Sequence, residues 1–262
     1  MTTLRIGLFD SGVGGLSVLR ALHALMPHAA LHYVADSAHA PYGERDDGFI
    51  TQRSQRIAEH LHAAGCHALV VACNTATAVA VAALRERFGT TTPVIGVEPG
   101  LKPALTVTRN GRIGVMATAA TLRSAKFRAL LEHLAPGRSI HLQACDGLAA
   151  AIERGTLDTA EVCELVEHHC APQRAFGIDT VVLGCTHYPF VRSRIETALP
   201  GVDVIDTSEA VARRIVDLCG PPRNPDAGLV RLQTTGDPSA LAAFAKVWLP
   251  FATVVDAQRL DV

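Results

Sequence analysis

The sequence predicts an α/β fold: two similar doubly wound units, each a parallel sheet flanked by helices. Three observations carry that expectation. Short apolar or β-branched segments recur along the 262 residues, longer segments with helical spacing separate them, and the opening pattern returns in the second half. Mostly apolar strands alternating with helices belong to parallel sheets covered on both faces.

The elements follow in order. "LRIGLF" (4–9) reads as the first strand, and a glycine-rich turn leads into "GGLSVLRALHALM", where Leu16, Leu19, Leu22 and Met26 fall on one helix face. "ALHYVA" (30–35), "HALVVA" (67–72) and "TPVIGV" (92–97) are the next strands. "CNTATAVAVAALRERF" forms a helix after Cys73, with Asn74 or Thr75 as its expected cap. "GRIGVM" (111–116), "SIHLQA" (139–144), "DTVVLG" (179–184) and "VDVID" (202–206) continue the series, with "TLRSAKFRALLEHL" (121–134) as one intervening helix. The late "TTGDPSALAAFAKVWL" is helical and assigns no chemistry.

The repeat has chemical content. "RIGLFDSGVGGLSVLRAL" starts at Arg5 and "RIGVMATAATLRSAKFRAL" at Arg112. Cys73 in "ALVVACNTATA" lies 68 residues after the first Arg, and Cys185 in "TVVLGCTHYPF" lies 73 after the second. Two matched elements at near-equal separation point to duplication, with the halves facing each other about an approximate two-fold axis. Each half then offers a cysteine at the carboxyl end of a parallel strand, where open α/β sheets hold ligands. Two thiols on opposite sides of one carbon can remove a proton from one face and return one to the other, which is racemisation. That needs a thiolate at neutral pH, against an ordinary thiol pKa of about 8.5, and a helix N-terminus favours it.

Composition excludes several classes. The 24 basic and 25 acidic side chains leave a formal charge of −1 with no run of one sign, unlike a nucleic-acid-binding face. No segment reaches the roughly 20 apolar residues of a membrane span. "MTTLRIGLFD" lacks a signal-peptide layout, so a cytoplasmic location and cysteines in the thiol form are expected. Cys66, Cys145, Cys163, Cys170 and Cys219 read as packing residues. The cluster Cys163, His168, His169 and Cys170 matches no compact zinc spacing, so no metal is expected.

"FDSGVGGLSVL" followed by Asp36 imitates a dinucleotide-binding fingerprint, with Gly12 and Gly14 as its first two glycines. Ser17 stands where the third glycine belongs, and Asp10 at the mouth of the turn would repel a pyrophosphate. Asp10 is either a partner in acid–base chemistry or a cap on the following helix.

"GLFDSGVGGLSV", "YVADSAHAPYGER", "VVACNTATA", "VIGVEPGLKPA" and "LGCTHYPF", in this order, resemble the glutamate racemases, cofactor-independent enzymes that supply D-glutamate for bacterial peptidoglycan. The resemblance runs from Ile6 to about Val204. It implies that Cys73 and Cys185 are the paired acid and base, Cys73 taking the proton from D-glutamate and Cys185 from L-glutamate. Asp10 would assist Cys73 and His187 would assist Cys185. Asp10, Ser11, Tyr42, Gly43, Asn74, Thr75, Thr186 and His187 correspond to substrate-contacting positions, with Thr118 and Thr121 as further hydroxyl donors. Asp36 and Glu153 match supporting acidic positions, although a solvated surface charge explains them equally well. The implied domains are 1–97 plus 208–262, and 98–207, with the substrate, glutamate, between them. No cofactor is implied, and a homodimer is compatible. Two features depart from the family: Ala117 precedes Thr118 where glycine is frequent, and no extension precedes the first strand, which makes activation by a cell-wall precursor less expected.

Overall fold

The computed structural model describes residues 4–134, 137–220, 228–250 and 254–262. The chain divides into two compact units, Met1–Val97 with Ser208–Val262, and Glu98–Thr207. The first three residues, on which the leader reading partly rested, lie outside the described residues.

The first unit is built from β1 (Arg5–Asp10), α1 (Leu16–Leu25), β2 (Ala30–Ala35), α2 (Asp47–Ala63), β3 (Ala68–Val71), α3 (Asn74–Phe88) and β4 (Val94–Gly96). The second contains α4 (Leu101–Val107), β5 (Arg112–Ala117), α5 (Ala119–Arg123), α6 (Ala125–Leu134), β6 (Ser139–Ala144), α7 (Leu148–Glu153), α8 (Ala160–Phe176), β7 (Thr180–Gly184), α9 (Arg192–Ala198) and β8 (Asp203–Ile205). The chain then returns to the first unit with α10 (Ser208–Cys219), β9 (Val230–Thr234), α11 (Pro238–Trp248) and β10 (Val254–Arg259).

The two sheets repeat one order. In the first unit it is β10-β9-β2-β1-β3-β4 and in the second β6-β5-β7-β8, every pairing parallel. Four consecutive strands of the first sheet, β2-β1-β3-β4, therefore correspond one for one to the whole of the second. Duplication of one unit accounts for this correspondence, and β9 and β10 extend the first copy at one edge.

Side-chain chemistry explains the layers. β1, β3 and β7 are almost wholly buried, as central strands covered on both faces must be. Leu16, Leu19 and Leu22 bury the inner face of α1, which packs on α10, while α2 packs on α3. Each such leucine contributes about 1.5–3 kcal/mol on burial. Phe9, Ile50, Ile57, Leu61, Leu69 and Val71 form part of the core of the first unit, and Leu101, Ile113, Val115, Phe127 and Val182 part of the second.

All eight predicted strands form, with ends shifted by one or two residues. Two local expectations need correction. The segment 121–134 is not one helix, because Ser124 is extended at ψ 142° and its hydroxyl accepts from the Phe127 amide at 3.2 Å, starting α6 as a cap. The cap of α3 is Cys73 itself, not Asn74 or Thr75, both of which lie within the first turn.

Because all strands are parallel, the carboxyl ends of each sheet gather at one edge. In the first unit Asp10 ends β1, and Asp36 and Cys73 follow β2 and β3; Thr118, Cys145 and Cys185 follow β5, β6 and β7 in the second.

Candidate active site

In the first unit Cys73 is buried, and its sulfur accepts from the Ala76 amide at 3.5 Å as the N-cap of α3. A backbone N–H aimed at sulfur from a helix N-terminus favours negative charge there. The thiol lies 3.9 Å from the Ser11 hydroxyl, which donates to Asp10 Oδ1 at 3.2 Å; the Ser11 amide donates to the same oxygen at 2.6 Å. Ser11 thus bridges the thiol and a carboxylate that has no exposed surface. Asp10 is not the cap of α1: that place belongs to Gly15, and no side chain caps the helix. Gly15 is needed for another reason, since a Cβ there would lie 2.9 Å from both Asp10 Cβ and the Tyr33 hydroxyl.

Asn74 and Thr75 are buried beside Cys73. Asn74 Nδ2 is a buried donor with no hydrogen-bond partner among the described residues. Buried amide donors are ordinarily satisfied, so one left open beside a thiol is suited to an anionic ligand.

Tyr42 and Gly43 lie in a short 3-10 turn, Tyr42–Glu44. Tyr42 is buried, and its hydroxyl donates to Asp36 Oδ2 at 2.5 Å. Burial first, and the Asp36 charge second, push the phenol far above its ordinary range, so it stays protonated. The solvated-surface reading of Asp36 is excluded, because the residue has no exposed surface. Burial alone would raise its carboxyl, but hydrogen bonds from Arg53, Tyr42 and His39 outweigh it and hold the group below the usual range. Occupied in this way, Asp36 does not offer the free acceptor that a ribose-binding fingerprint requires.

The second unit carries a parallel arrangement. Cys185 directly follows β7 and is buried, with its sulfur 3.7 Å from His187 Nδ1. The opposite ring nitrogen of His187, Nε2, lies 2.8 Å from Glu153 Oε2 at the end of α7. Glu153 is therefore a mostly covered partner of His187 and not a solvated charge. Thr118 caps α5, accepting from the Thr121 amide at 3.2 Å and donating to the Thr121 hydroxyl at 3.0 Å. Thr186 is buried between Cys185 and His187 in sequence.

Other thiols differ in setting. Burial pushes Cys66 up to about 11, Cys170 up to about 12 and Cys145 well above the ordinary value, so they stay neutral. His169 is tied to the Asp146 carbonyl and Gln143, while Cys163 is exposed. Among the described residues no group of three or more His, Cys, Asp or Glu side chains is placed to hold a metal, and no helix is long and apolar enough to cross a membrane.

Residues 16–215 match the Asp/Glu/Hydantoin racemase family. The glutamate racemase of Ectopseudomonas mendocina is 50% identical over 216 residues, 82% of each chain. The glutamate racemase isoform RacE1 of Bacillus anthracis superposes with a TM-score of 0.88 at 34% identity, covering 99% of this chain and 98% of that one. The Escherichia coli glutamate racemase, solved with L-glutamate and the activator UDP-MurNAc-ala, gives 0.85 at 30% identity over 100% and 99%. The chain belongs to the glutamate racemase family. It is thereby an amino-acid racemase, an isomerase.

Within this glutamate racemase fold, sequence reasoning missed three contributors. Ser11 was expected only as a substrate contact, yet it bridges Asp10 and Cys73. Arg53 and Thr235 both bind Asp36. Arg53 did leave a signal: it falls in the apolar register of α2 with Ile50, Ile57 and Leu61, and a charge on a buried face needs a partner.

Proposed function

We propose that the protein interconverts L- and D-glutamate without a cofactor, using Cys73 and Cys185 on opposite faces of one α-carbon. What supports this is the matched placement of the two thiols. Each follows the equivalent strand of its own unit, and each is joined through one side chain to a buried or mostly covered carboxylate.

The thiolate of Cys185 takes the α-proton of L-glutamate, leaving the electron pair on Cα. The thiol of Cys73 then gives its proton to the other face; the reverse reaction exchanges the roles. Glu153 accepts from His187 Nε2–H, which leaves Nδ1 able to receive the Cys185 proton and generate the thiolate. On the other side Asp10 acts on Cys73 through Ser11. The carbanion carries charge into its α-carboxylate, so aimed donors must stabilise it. Asn74, Thr75, Thr118, Thr121 and Thr186, with the Tyr42–Gly43 turn, are the groups assigned to the two carboxylates and the ammonium. Because the Tyr42 hydroxyl is held by Asp36, the contribution of that turn comes from its backbone.

In the cell this activity would supply D-glutamate for peptidoglycan from a cytoplasmic enzyme, with a homodimer as a compatible assembly. Circular dichroism of the purified protein with L-glutamate, D-glutamate and L-aspartate tests the substrate. Loss of the glutamate signal to zero from either enantiomer, with aspartate unchanged, supports the reading; aspartate turnover in preference to glutamate rejects it.

A further inference from the structure

A buried cluster at the end of β2 lies outside the thiol relays. Asp36 accepts from Arg53 Nε at 3.0 Å and Nη2 at 2.8 Å, from Tyr42 at 2.5 Å, from the Thr235 hydroxyl at 2.9 Å and from His39 Nδ1 at 2.9 Å. The remaining Arg53 nitrogen, Nη1, donates to the Val262 carbonyl at 2.6 Å, and the Thr235 hydroxyl accepts from the Ala38 amide at 3.2 Å. Three stretches distant in sequence therefore meet on one carboxylate: α2, the 36–44 loop and the segment from β9 onward.

A buried ion pair is weak evidence of stabilisation, because apolar residues of similar volume often serve as well; fixing geometry is the better-attested use. Here the geometry fixed is that of the Tyr42–Glu44 turn. Its tyrosine ring shares a core cluster with Cys73, and its hydroxyl is tethered to Asp36. We propose that Arg53 is a positioning residue for substrate binding: with Asp36 and Thr235 it braces the Tyr42–Gly43 turn beside Cys73, so that the C-terminal segment takes part in glutamate affinity. The proposal rests on the reading of that turn as a substrate contact.

The test combines steady-state kinetics with hydrogen exchange of the 40–45 segment in Arg53→Gln, Arg53→Lys, Thr235→Val and Thr235→Ser. Thr235→Val leaves the ion pair whole and removes one donor to a charged group. Its KM for both enantiomers is expected to rise about tenfold with kcat within about twofold, and exchange in 40–45 to accelerate by a similar factor. Arg53→Gln should exceed it, Arg53→Lys should fall between, and Thr235→Ser should restore the wild-type values. Should Arg53→Gln fail to fold, Thr235→Val and Thr235→Ser decide. Unaltered exchange in folded variants overturns the brace, and so do KM and kcat that change together without a change in loop exchange. A wild type inert toward glutamate would instead overturn the reading of the site, while the exchange measurement would still decide whether the brace holds the turn.

Discussion

Glu153 holds His187 by its Nε2, 2.8 Å away, on the ring edge opposite the one that meets Cys185. An ionised carboxylate accepts only, so it fixes the proton on Nε2 and leaves Nδ1 as the basic nitrogen facing the sulfur. Glutamine at 153 no longer enforces that tautomer. Glu153→Gln is expected to lower kcat about 10- to 100-fold, within the range of general acid–base effects. The two enantiomers are equally stable, so kcat/KM must fall equally in both directions. The α-deuterium isotope effect separates the sides: it should grow with L-glutamate and shrink with D-glutamate as proton transfer at Cys185 becomes limiting.

Asn74 should show opposite effects on binding and stability. Its Nδ2 is buried without a partner among the described residues, a condition that costs about 1–3 kcal/mol until a ligand satisfies it. Asn74→Ala is expected to raise KM about tenfold or more, while the urea midpoint of the ligand-free protein stays level or rises. A fall in stability with unchanged KM would show that the amide serves the fold.

The close approach of α1 to Asp10 depends on Gly15. A methyl group there meets Asp10 Cβ and the Tyr33 ring at 2.9 Å, and such overpacking costs roughly 1–3 kcal/mol. Displacement of Asp10 and Ser11 by a fraction of an ångström should also slow proton transfer at Cys73. Gly15→Ala is therefore expected to lower both the denaturation midpoint and kcat, read by urea unfolding and by circular dichroism turnover.

His32 gives the stability a pH dependence on the side of neutrality where most enzymes are still folded. Burial lowers its imidazole to about 4, against 6.5 in the unfolded chain, although the Gln233 hydrogen bond opposes the shift. Between these values the unfolded state binds the extra proton, so stability rises with pH. The contribution is complete above about 6.5 and lost as pH falls toward 4, a difference of up to roughly 3 kcal/mol. Unfolding free energies at pH 7 and pH 4.5 should show the loss in the wild type and a smaller one in His32→Gln.

The sequence and the fold agree wherever burial left a simple trace. The central strands β1, β3 and β7 are nearly continuous apolar runs, as parallel strands covered on both faces must be, and the other expected strands are short segments bounded by turn residues. β9 escaped notice because Val230–Thr234 alternates buried and exposed residues, with Arg231 facing out, and reads as polar chain. The division at Ser124 was hidden because "TLRSAKFRALLEHL" keeps a helical spacing across the cap that interrupts it. In the site, the two cysteines were visible because the duplication marks them twice. The supports were not. Asp36 looks like any surface acid until Arg53, 17 positions away, and Thr235, 199 positions away, are folded against it, and no local pattern encodes contacts at such separations.

The central claim is that two thiols divide one proton transfer. Wild type, Cys73→Ala and Cys185→Ala, incubated with each enantiomer in deuterium oxide and followed by NMR and circular dichroism, test it most directly. The account predicts deuterium in the inverted product of the wild type and no inversion by either variant. Cys73→Ala would retain at most slow exchange of L-glutamate, and Cys185→Ala of D-glutamate. Racemisation at near wild-type rate by either single-thiol variant would contradict it.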